Sequence, residues 1–233
     1  MPKKKENKGN LIVGNNNYNK VLIFSHGLGD DPTSWLFFAN EILKEIDNIR
    51  IILTRAPINK VSVNNGLEMP SWFDIKKIPI DVDDINQDCD IDYSCKFIYD
   101  IINNEINNGV ESNNIFLGGF SQGAALSLVS GLNCENYNLG GLIILSGWLL
   151  KEKLTNLKKL KKDNNIRVFV GHGTKDNVVK YSNLEDINNF LKNKYNSKLL
   201  TINSYPNMDH SVSMKERIDV INWLKIENLN LSY

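Results

Sequence analysis

The sequence predicts an α/β fold with a mainly parallel central sheet and helices on both faces. Continuous apolar runs, such as residues 21–24 and 142–145, are typical of strands that are buried on both faces. These runs alternate with amphipathic stretches, such as residues 91–102, as expected when crossover helices connect parallel strands. The 233 residues contain no internal repeat and no second core, so we expect one domain over residues 11–233, after a disordered polar tail over residues 1–10.

The individual elements follow from the same patterns in chain order. Strands are predicted at residues 11–13, 21–24, 49–53, 114–118, 142–145, 166–170 and 199–204. Helices are predicted after Asp31-Pro32, between Ile91 and Gly109, directly after Gly123, and at residues 151–162, 181–195 and 212–224. Asp31 and Pro32 are typical of an N-cap and a first-turn proline. Residues 56–90 contain three prolines and no sustained period, so they are predicted to form a long loop.

Composition excludes several classes of function. The chain carries 27 basic and 27 acidic residues and a formal net charge of +0, which gives no electrostatic support for nucleic-acid binding. No apolar stretch reaches the roughly 18 residues of a membrane span, and none follows the N-terminus as in a signal peptide. Residues 151–162 are predicted to be a lysine-rich surface helix with a thin apolar stripe, so we expect at most transient contact with a membrane surface.

The cysteines favour a reducing compartment. Cys89, Cys95 and Cys134 are odd in number and have neither metal-ligand nor C-x-x-C spacing, so neither a disulfide framework nor a metal site is expected. No phosphate-binding glycine loop is visible, and no cofactor is predicted. We therefore expect a cytoplasmic protein, whose oligomeric state the sequence leaves open.

The most informative motif is G-F-S-Q-G at residues 119–123. It follows the apolar run 115–117 and precedes the helix-forming run 124–129. A serine between two glycines at a strand-to-helix turn is typical of the nucleophile elbow of an α/β-hydrolase. The turn strains the serine backbone and aims its Oγ out of the sheet, and side chains at the glycine positions would collide with the adjacent strand and helix. The motif therefore predicts the α/β-hydrolase fold, with Ser121 as its nucleophile.

Two further side chains have the positions that a serine nucleophile needs. A serine hydroxyl requires a base within hydrogen-bond reach, and the base requires an orienting acid. In this fold the chain order is serine, acid, histidine, and His210 alone among the three histidines follows the last predicted strand. Asp176 is the carboxylate in the loop after the strand at residues 166–170. The predicted roles are Ser121 as nucleophile, His210 as general base and then acid, and Asp176 as orienter of the imidazole.

An oxyanion hole is predicted from two backbone N–H groups. One belongs to Gln122, the residue after the nucleophile, and the other to Leu28, in the glycine-containing loop after the first long strand. The remaining histidines are interpreted as structural. His26 would support the Leu28 loop, and His172 would pack behind the acid.

These motifs resemble those of the acyl-protein thioesterase, lysophospholipase and carboxylesterase family of small α/β-hydrolases. The resemblance covers about residues 21–224. The matching segments are S-H-G-L-G-D at 25–30, M-P-S-W-F-D-I at 69–75, G-G-F-S-Q-G at 118–123, G-H-G at 171–173 with Asp176, and M-D-H-S at 208–211. The P-S-W-F-D segment and the G-F-S-Q-G elbow separate this family from lipases and peptidases at large.

The resemblance implies removal of long acyl chains, so the substrates would be S-acylated proteins or lysophospholipids. It also implies an apolar channel beside the serine that holds the acyl chain. The candidates to line this channel are Trp72, Phe73, Trp148 and Leu149. Simple core packing is the alternative interpretation of the two tryptophans.

The chain departs from the family pattern at several positions. Residues 1–3 are M-P-K where many members carry a palmitoylated cysteine, so no lipid anchor is predicted. The other departures lie beside the elbow, the acid and the second channel tryptophan: Ala124 for glycine, Asn177 and Lys180 for prolines, Gly147 for cysteine, and Leu150 for proline. Gly147 and Leu150 affect the shape of the channel and hence the acyl-chain length that the protein prefers.

Three functions remain open from the sequence. The first is a metal-independent serine hydrolase that cleaves the thioesters of S-acylated proteins through an acyl-enzyme. The second is a lysophospholipase or short-chain carboxylesterase with the same triad, because both kinds of substrate present an acyl carbonyl and an apolar tail. The third is a non-catalytic acyl-chain-binding module, which the complete set of Ser121, Asp176 and His210 disfavours.

Overall fold

A seven-stranded sheet lies at the centre of the computed structural model, which describes residues 9–82, 90–154, 166–194 and 199–226. The strands in this sheet are β1 (Leu11–Val13), β2 (Lys20–Ser25), β3 (Ile49–Thr54), β6 (Ile115–Phe120), β7 (Gly141–Leu145), β8 (Arg167–Gly173) and β9 (Leu200–Tyr205). Their spatial order is β1-β3-β2-β6-β7-β8-β9, and β4 and β5 form a separate pair. β1 pairs antiparallel with β3 at one edge, and all other neighbours in the sheet are parallel.

Helices cover both faces of the sheet. They are α1 (Leu36–Glu45), α2 (Asp92–Asn107), α3 (Gln122–Leu132), α4 (Lys151–Leu154), α5 (Ser182–Lys194) and α6 (Met214–Lys225). Apolar side chains of α2, α3 and α5 join the core cluster on one face, and those of α1 and α6 join the cluster on the other face. The mainly parallel, two-faced arrangement that the sequence predicts is therefore confirmed.

Strand β2 shows why the four residues at its centre are all apolar. Val21 and Ile23 belong to the cluster under α2, α3 and α5, whereas Leu22 and Phe24 belong to the cluster under α1 and α6. Successive side chains of a strand point to opposite faces, so a strand with helices on both sides buries all of them. A continuous apolar run therefore indicates a strand that lies between two layers of helices.

The first helical region begins where the sequence predicts but is divided into two parts. Asp31 accepts a hydrogen bond from the backbone N–H of Thr33 and caps a 3₁₀ turn over Pro32–Trp35, and α1 follows directly. The apolar side chains at helical spacing are all buried: Trp35, Phe38, Ala39, Ile42 and Ile46.

The predicted loop over residues 56–90 was wrong in one part. β4 (Ile58–Val61) and β5 (Leu67–Pro70) form an antiparallel hairpin there. Most of their side chains are exposed, so the hairpin lacks the alternation of apolar and polar residues that would reveal a half-buried strand. Residues 83–89 lie outside the described part of the chain.

Several predicted boundaries shift by a few residues. β6 and β8 continue past the predicted ends at residues 118 and 170. The last helix begins at Met214 rather than at Val212, because the Ser213 side chain accepts the N–H of Glu216 and caps it. Of the predicted helix at residues 151–162, only Lys151–Leu154 are described. Among the described helices, none combines the length and the apolar character that crossing a bilayer requires.

Candidate active site

The turn between β6 and α3 holds Ser121 in an uncommon backbone conformation. Its φ is 54° and its ψ is −120°, a strained combination for a residue with a side chain. A Cβ on Gly119 would lie 2.4 Å from the carbonyl carbon of Gly123, and a Cβ on Gly123 would lie 2.1 Å from the carbonyl oxygen of Ser25. Both glycines are therefore required by close backbone contacts, one to the helix and one to the neighbouring strand, as the motif predicts.

A chain of hydrogen bonds joins Ser121, His210 and Asp176. Nε2 of His210 lies 2.9 Å from Oγ of Ser121, and Nδ1 of His210 lies 2.7 Å from Oδ2 of Asp176. An ionised carboxylate only accepts, so Nδ1 carries the proton and the bare Nε2 of a neutral imidazole faces the serine hydroxyl. The three side chains follow β6, β9 and β8, and they meet because parallel strands end at the same edge of the sheet.

Asp176 is buried and remains a carboxylate. Burial alone would raise the pKa of this carboxyl, but hydrogen bonds from His172 and His210, and from the backbone N–H of Val178, hold the pKa well below its usual range. Oδ1 accepts the N–H groups of Val178 at 2.9 Å and Val179 at 2.8 Å. The carboxylate therefore stays ionised at neutral pH and can stabilise a positive charge on the imidazole of His210.

The loop that carries Asp176 is fastened to a distant segment of the chain. Ile80 donates its N–H to the carbonyl of Val178 at 2.8 Å and accepts the N–H of Lys180 at 3.0 Å. The Asn183 side chain donates to the same Ile80 carbonyl, and Lys180 forms an ion pair with Asp81. A proline at position 180, as the family pattern has it, would lack the N–H that bonds Ile80.

The loop after β2 passes beside Ser121 and is held by His26. The backbone N–H of Ala56 donates to Nε2 of His26 at 3.2 Å, so the proton of this ring is on Nδ1, which donates to the Gly27 carbonyl at 2.7 Å. Burial lowers the pKa of His26, which keeps the ring neutral. A Cβ on Gly27 would be 3.5 Å from Cβ of Ser121, so this loop passes close to the serine at Gly27.

The side chain of Gln122 has a structural task that the sequence analysis missed. Its Oε1 accepts the N–H of Trp72 at 3.0 Å, and its Nε2 donates to Ser71 Oγ at 3.0 Å and to the Phe73 carbonyl at 2.7 Å. The available signal was an amide side chain at the start of a mostly apolar helix, because a buried amide needs hydrogen-bond partners. Gln122 thus connects the serine turn to the P-S-W-F-D segment, and Trp72 extends this connection by donating its indole N–H to the His26 carbonyl at 2.8 Å.

The four channel candidates are all buried in this structure. Trp72, Phe73, Trp148 and Leu149 belong to the cluster under α2, α3 and α5. The rings of Phe73 and Trp148 meet edge to face, with centroids 6.0 Å apart. Gln122, in the serine turn, bonds the backbone of Trp72 and Phe73, and Trp148 packs against Phe73.

Phe120 makes a second contact that the sequence analysis did not predict, with the ring of His210. Its ring lies 4.7 Å from the ring of His210, centroid to centroid, and 5.4 Å from that of Trp35. Trp35 in turn donates its indole N–H to Oδ2 of Asp30 at 3.0 Å. The motif therefore supplies the neighbour of the histidine as well as the serine.

The described cysteines are poor nucleophiles. Burial raises the pKa of the Cys95 thiol to about 11 and also raises that of Cys134. Cys89 lies outside the described residues. Within the described ranges, no three His, Cys, Asp or Glu side chains lie together in a way that would hold a metal ion.

The arrangement has the parts of a covalent acyl-transfer site. It combines a hydroxyl, a neutral imidazole that can take its proton, and a buried carboxylate that stabilises the resulting imidazolium. The backbone at Gly27 and the start of α3 lie next to the serine. Such an arrangement can attack an ester or thioester carbonyl without a metal ion.

Comparison with known proteins agrees with this geometry. An acyl-protein thioesterase 1 of Cryptococcus neoformans is 36% identical over 217 residues, which cover 88% of this chain and 90% of the relative. The crystal structure of SOBER1 from Arabidopsis thaliana is 30% identical with a TM-score of 0.71, covering 88% of this chain and 97% of that chain. The structure of acyl-protein thioesterase 2 from Zea mays is 25% identical with a TM-score of 0.74, covering 92% and 96%.

The predicted fold class is confirmed by these likenesses. The family model described as Phospholipase/Carboxylesterase matches residues 7–228, nearly the whole chain. Because the match spans the strands, the serine turn and both loops that hold its partners, the chain belongs to the phospholipase/carboxylesterase family of α/β-hydrolases.

Proposed function

We propose that this chain is a serine hydrolase that removes long acyl chains from S-acylated protein cysteines. The observation that carries the proposal is the hydrogen-bonded series of Ser121, His210 and Asp176, with 2.9 Å and 2.7 Å between its members. The family match and the relatives named acyl-protein thioesterase 1 supply the substrate class. A cytoplasmic location belongs to the same proposal and is supported by the small number of cysteines, of which the two described, Cys95 and Cys134, are free thiols.

The first half of the reaction acylates Ser121. His210 Nε2 removes the hydroxyl proton while Oγ bonds to the thioester carbonyl carbon, and Asp176 stabilises the imidazolium that forms. The carbonyl oxygen becomes an oxyanion, which the backbone N–H groups of Leu28 and Gln122 would bind. Each such donor is typically worth about 3 kcal/mol of transition-state stabilisation. The carbon–sulfur bond then breaks, the protein thiol leaves with the proton from His210, and the acyl group stays on the serine.

The second half regenerates the enzyme. A water molecule gives its proton to His210 and attacks the acyl-enzyme carbonyl, so that a second oxyanion forms between the same two N–H groups. Collapse of this intermediate releases the fatty acid, and the proton returns from His210 to Oγ of Ser121.

We assign the acyl channel to Trp72, Phe73, Trp148 and Leu149. The support is their apolar character and their position beside the serine turn, where Gln122 bonds the backbone of the first two. Because the rings of Phe73 and Trp148 are in contact, entry of an acyl chain between them requires this contact to open. The family pattern of cysteine and proline around Trp148 is replaced here by Gly147 and Leu150, which alters the channel wall and hence the preferred chain length.

A second candidate function is hydrolysis of lysophospholipids or short-chain carboxylic esters. The description of the matching family, phospholipase and carboxylesterase, favours it. An alkoxide is a poorer leaving group than a thiolate, so an oxygen ester depends more on proton donation by His210. Rates on an oxygen ester and a thioester that share one acyl chain distinguish the two functions.

The experiment is acyl release from an S-palmitoylated peptide by the wild type and by Ser121→Ala, at several enzyme concentrations. We expect turnover proportional to wild-type concentration and, for the variant, a loss of at least about 1,000-fold, since the nucleophile is absent. Thermal unfolding of both proteins controls for folding. Folded wild type that cleaves only oxygen esters would refute the thioesterase and support the second candidate.

Fluorophosphonate labelling addresses the non-catalytic alternative. We expect one label per chain on the wild type and none on Ser121→Ala. Folded wild type that is not labelled would contradict a serine hydrolase of either kind and would favour an acyl-chain-binding module.

A further inference from the structure

His172 lies on the far side of Asp176 from His210. It is fully buried in β8, one residue before the end of the strand at Gly173. Its Nε2 is 2.8 Å from the carbonyl oxygen of Val179 and 3.3 Å from Oδ2 of Asp176. The reaction described above does not use this imidazole.

One proton on His172 serves both neighbouring acceptors. The Val179 carbonyl can only accept, so Nε2 must carry the proton that makes the 2.8 Å bond. The same N–H is shared with Oδ2 of Asp176, which makes the longer contact at 3.3 Å. Nδ1 is buried and has no hydrogen-bond partner among the described residues, which is consistent with a ring that donates from Nε2 alone.

The two oxygens of Asp176 have different sets of donors. Oδ1 receives two backbone N–H groups, from Val178 and Val179. Oδ2 receives two ring N–H groups, one from His210 at 2.7 Å and one from His172 at 3.3 Å. The His172 proton therefore competes with His210 for the electron density of one oxygen atom while it holds the carboxylate in place.

We propose that His172 is a positioning residue of this hydrolase, whose Nε2–H fixes the rotamer of Asp176 and reduces the charge that Oδ2 presents to His210. The inference rests on the proposed function. Removal of this N–H has two expected consequences. The carboxylate loses a restraint on its orientation, and Oδ2 becomes a stronger acceptor that stabilises the imidazolium form of His210 more than in the wild type.

Two further titratable side chains, Tyr181 and Glu216, lie beside this end of β8. The ring of Tyr181 meets His172 edge on, with centroids 6.1 Å apart. Glu216 lies against Gly171, on the side of β8 that faces α6, where it also affects Tyr205. These groups are the same in every variant below, so a shift in the pH profile reports the change at position 172.

The test compares His172→Gln with His172→Leu. The amide nitrogen of glutamine is as many bonds from Cβ as Nε2 of histidine, so it can donate to Val179 and Asp176, whereas leucine cannot. For His172→Leu we expect kcat to fall about tenfold, the scale of a lost hydrogen bond to a charged group, with KM changed less than about twofold. The ascending limb of the kcat/KM profile should move to higher pH. For His172→Gln, kcat and the limb should return most of the way to wild type.

A spectroscopic readout keeps the inference testable without turnover. The proton on Nδ1 of His210 is expected to give a far-downfield NMR signal, which should shift in His172→Leu and return toward the wild-type position in His172→Gln. If the wild type hydrolyses neither ester, the proposed function fails and this signal still decides the role of His172.

The inference is overturned by one pattern of results. If both variants lose the same activity, with an unchanged pH limb and an unchanged NMR signal, His172 is only a packing residue. Thermal unfolding identifies a general loss of folding. Should His172→Leu not fold, His172→Met takes its place, because methionine is as long as glutamine but has no N–H to donate to Val179 and Asp176.

Discussion

Buried carboxylates in this protein differ in the donors that surround them. Asp176 accepts four N–H groups from side chains and backbone, and its pKa lies well below the usual range. Glu216, which is fully buried at the start of α6, has no partner for either carboxylate oxygen among the described residues. Burial raises the pKa of Glu216 to about 8, so a proton, rather than a protein donor, neutralises this group.

Glu216 predicts a pH-dependent stability. Below pH 4.5 the carboxyl is protonated in both states. Between that value and about 8 the unfolded chain releases a proton that the folded protein retains, so the free energy of unfolding falls as the pH rises, and it levels off above 8. We expect Glu216→Gln to match wild type near pH 4.5 and to exceed it by roughly 4 kcal/mol at pH 8.5, as measured by urea unfolding.

Glu105 supplies the matched control for this prediction. It is also a buried carboxylate, but it accepts the Tyr18 hydroxyl at 2.9 Å and lies 3.9 Å from Arg50. Glu105→Gln should therefore lower stability at pH 8.5, where Glu216→Gln raises it. Equal effects of the two substitutions would contradict the interpretation of Glu216 as an unpaired group.

At the scale of elements, the serine turn depends on backbone atoms of β2 and α3 that are nearly in contact. For Gly123→Ala we expect a loss of about 3 kcal/mol or more in unfolding free energy and of most activity, because the added methyl would lie 2.1 Å from the Ser25 carbonyl oxygen. Chemical unfolding and ester hydrolysis measure the two effects.

Gly27→Ala is the control for this substitution. The nearest atoms to its added methyl are at 3.5 Å, an ordinary contact, so stability should change by less than about 1 kcal/mol. A Gly123→Ala protein as stable as Gly27→Ala would show that the turn can relax, contrary to the close packing described here.

Gln122 connects α3 to the segment with Ser71, Trp72 and Phe73. In Gln122→Leu, the Trp72 N–H and the Phe73 carbonyl lose their side-chain partner, so we expect unfolding free energy to fall by about 3 kcal/mol. Tryptophan fluorescence should change with it, because Trp72 is no longer held against the helix.

Ser127→Ala tests whether the effect of Gln122→Leu is specific. Ser127 is also buried in α3, but it makes one bond, to the Gly118 carbonyl at 2.8 Å. Ser127→Ala should lower the free energy of unfolding by about 1 kcal/mol and leave the tryptophan fluorescence unchanged. If both variants behave alike, Gln122 does not hold the P-S-W-F-D segment.

At the scale of the whole molecule, residues about a hundred positions apart meet to support the acid. Asn183 in α5 donates to the carbonyls of Ile80 at 3.1 Å and Lys180 at 2.9 Å. For Asn183→Leu we expect a loss of about 2 kcal/mol in stability and a several-fold lower kcat with little change in KM, because the Asp176 loop loosens. Steady-state kinetics on a thioester and urea unfolding measure these quantities.

Asn133→Leu is the comparison for that variant. Asn133 makes the same kind of bond, from its side chain to the Lys153 carbonyl at 3.2 Å, far along the chain from the acid loop. The Asn133→Leu variant should have a lower free energy of unfolding but the kcat of the wild type. Equal losses of kcat in both variants would mean that general destabilisation, rather than the Asp176 loop, lowers activity.

Local sequence patterns predict the strands of the sheet and the residues that follow them. Apolar runs predict the parallel strands, because helices on both faces bury every residue, and the strand-to-helix G-F-S-Q-G turn predicts the conformation of Ser121. The chain order of serine, acid and histidine then singles out Asp176 and His210, since parallel strands end at one edge of the sheet.

Features that depend on contacts between distant segments could be seen only in the three-dimensional structure. The exposed hairpin of β4 and β5 lacks a periodic pattern, so its pairing was invisible in the sequence. The partners of Gln122 and the support of the acid loop by Ile80 arise when segments dock, and so does the lack of a donor to Glu216 in the part of the chain that the structure describes. No local pattern specifies them, because a buried polar group is satisfied or left unpaired by whatever side chain or backbone the fold brings to it.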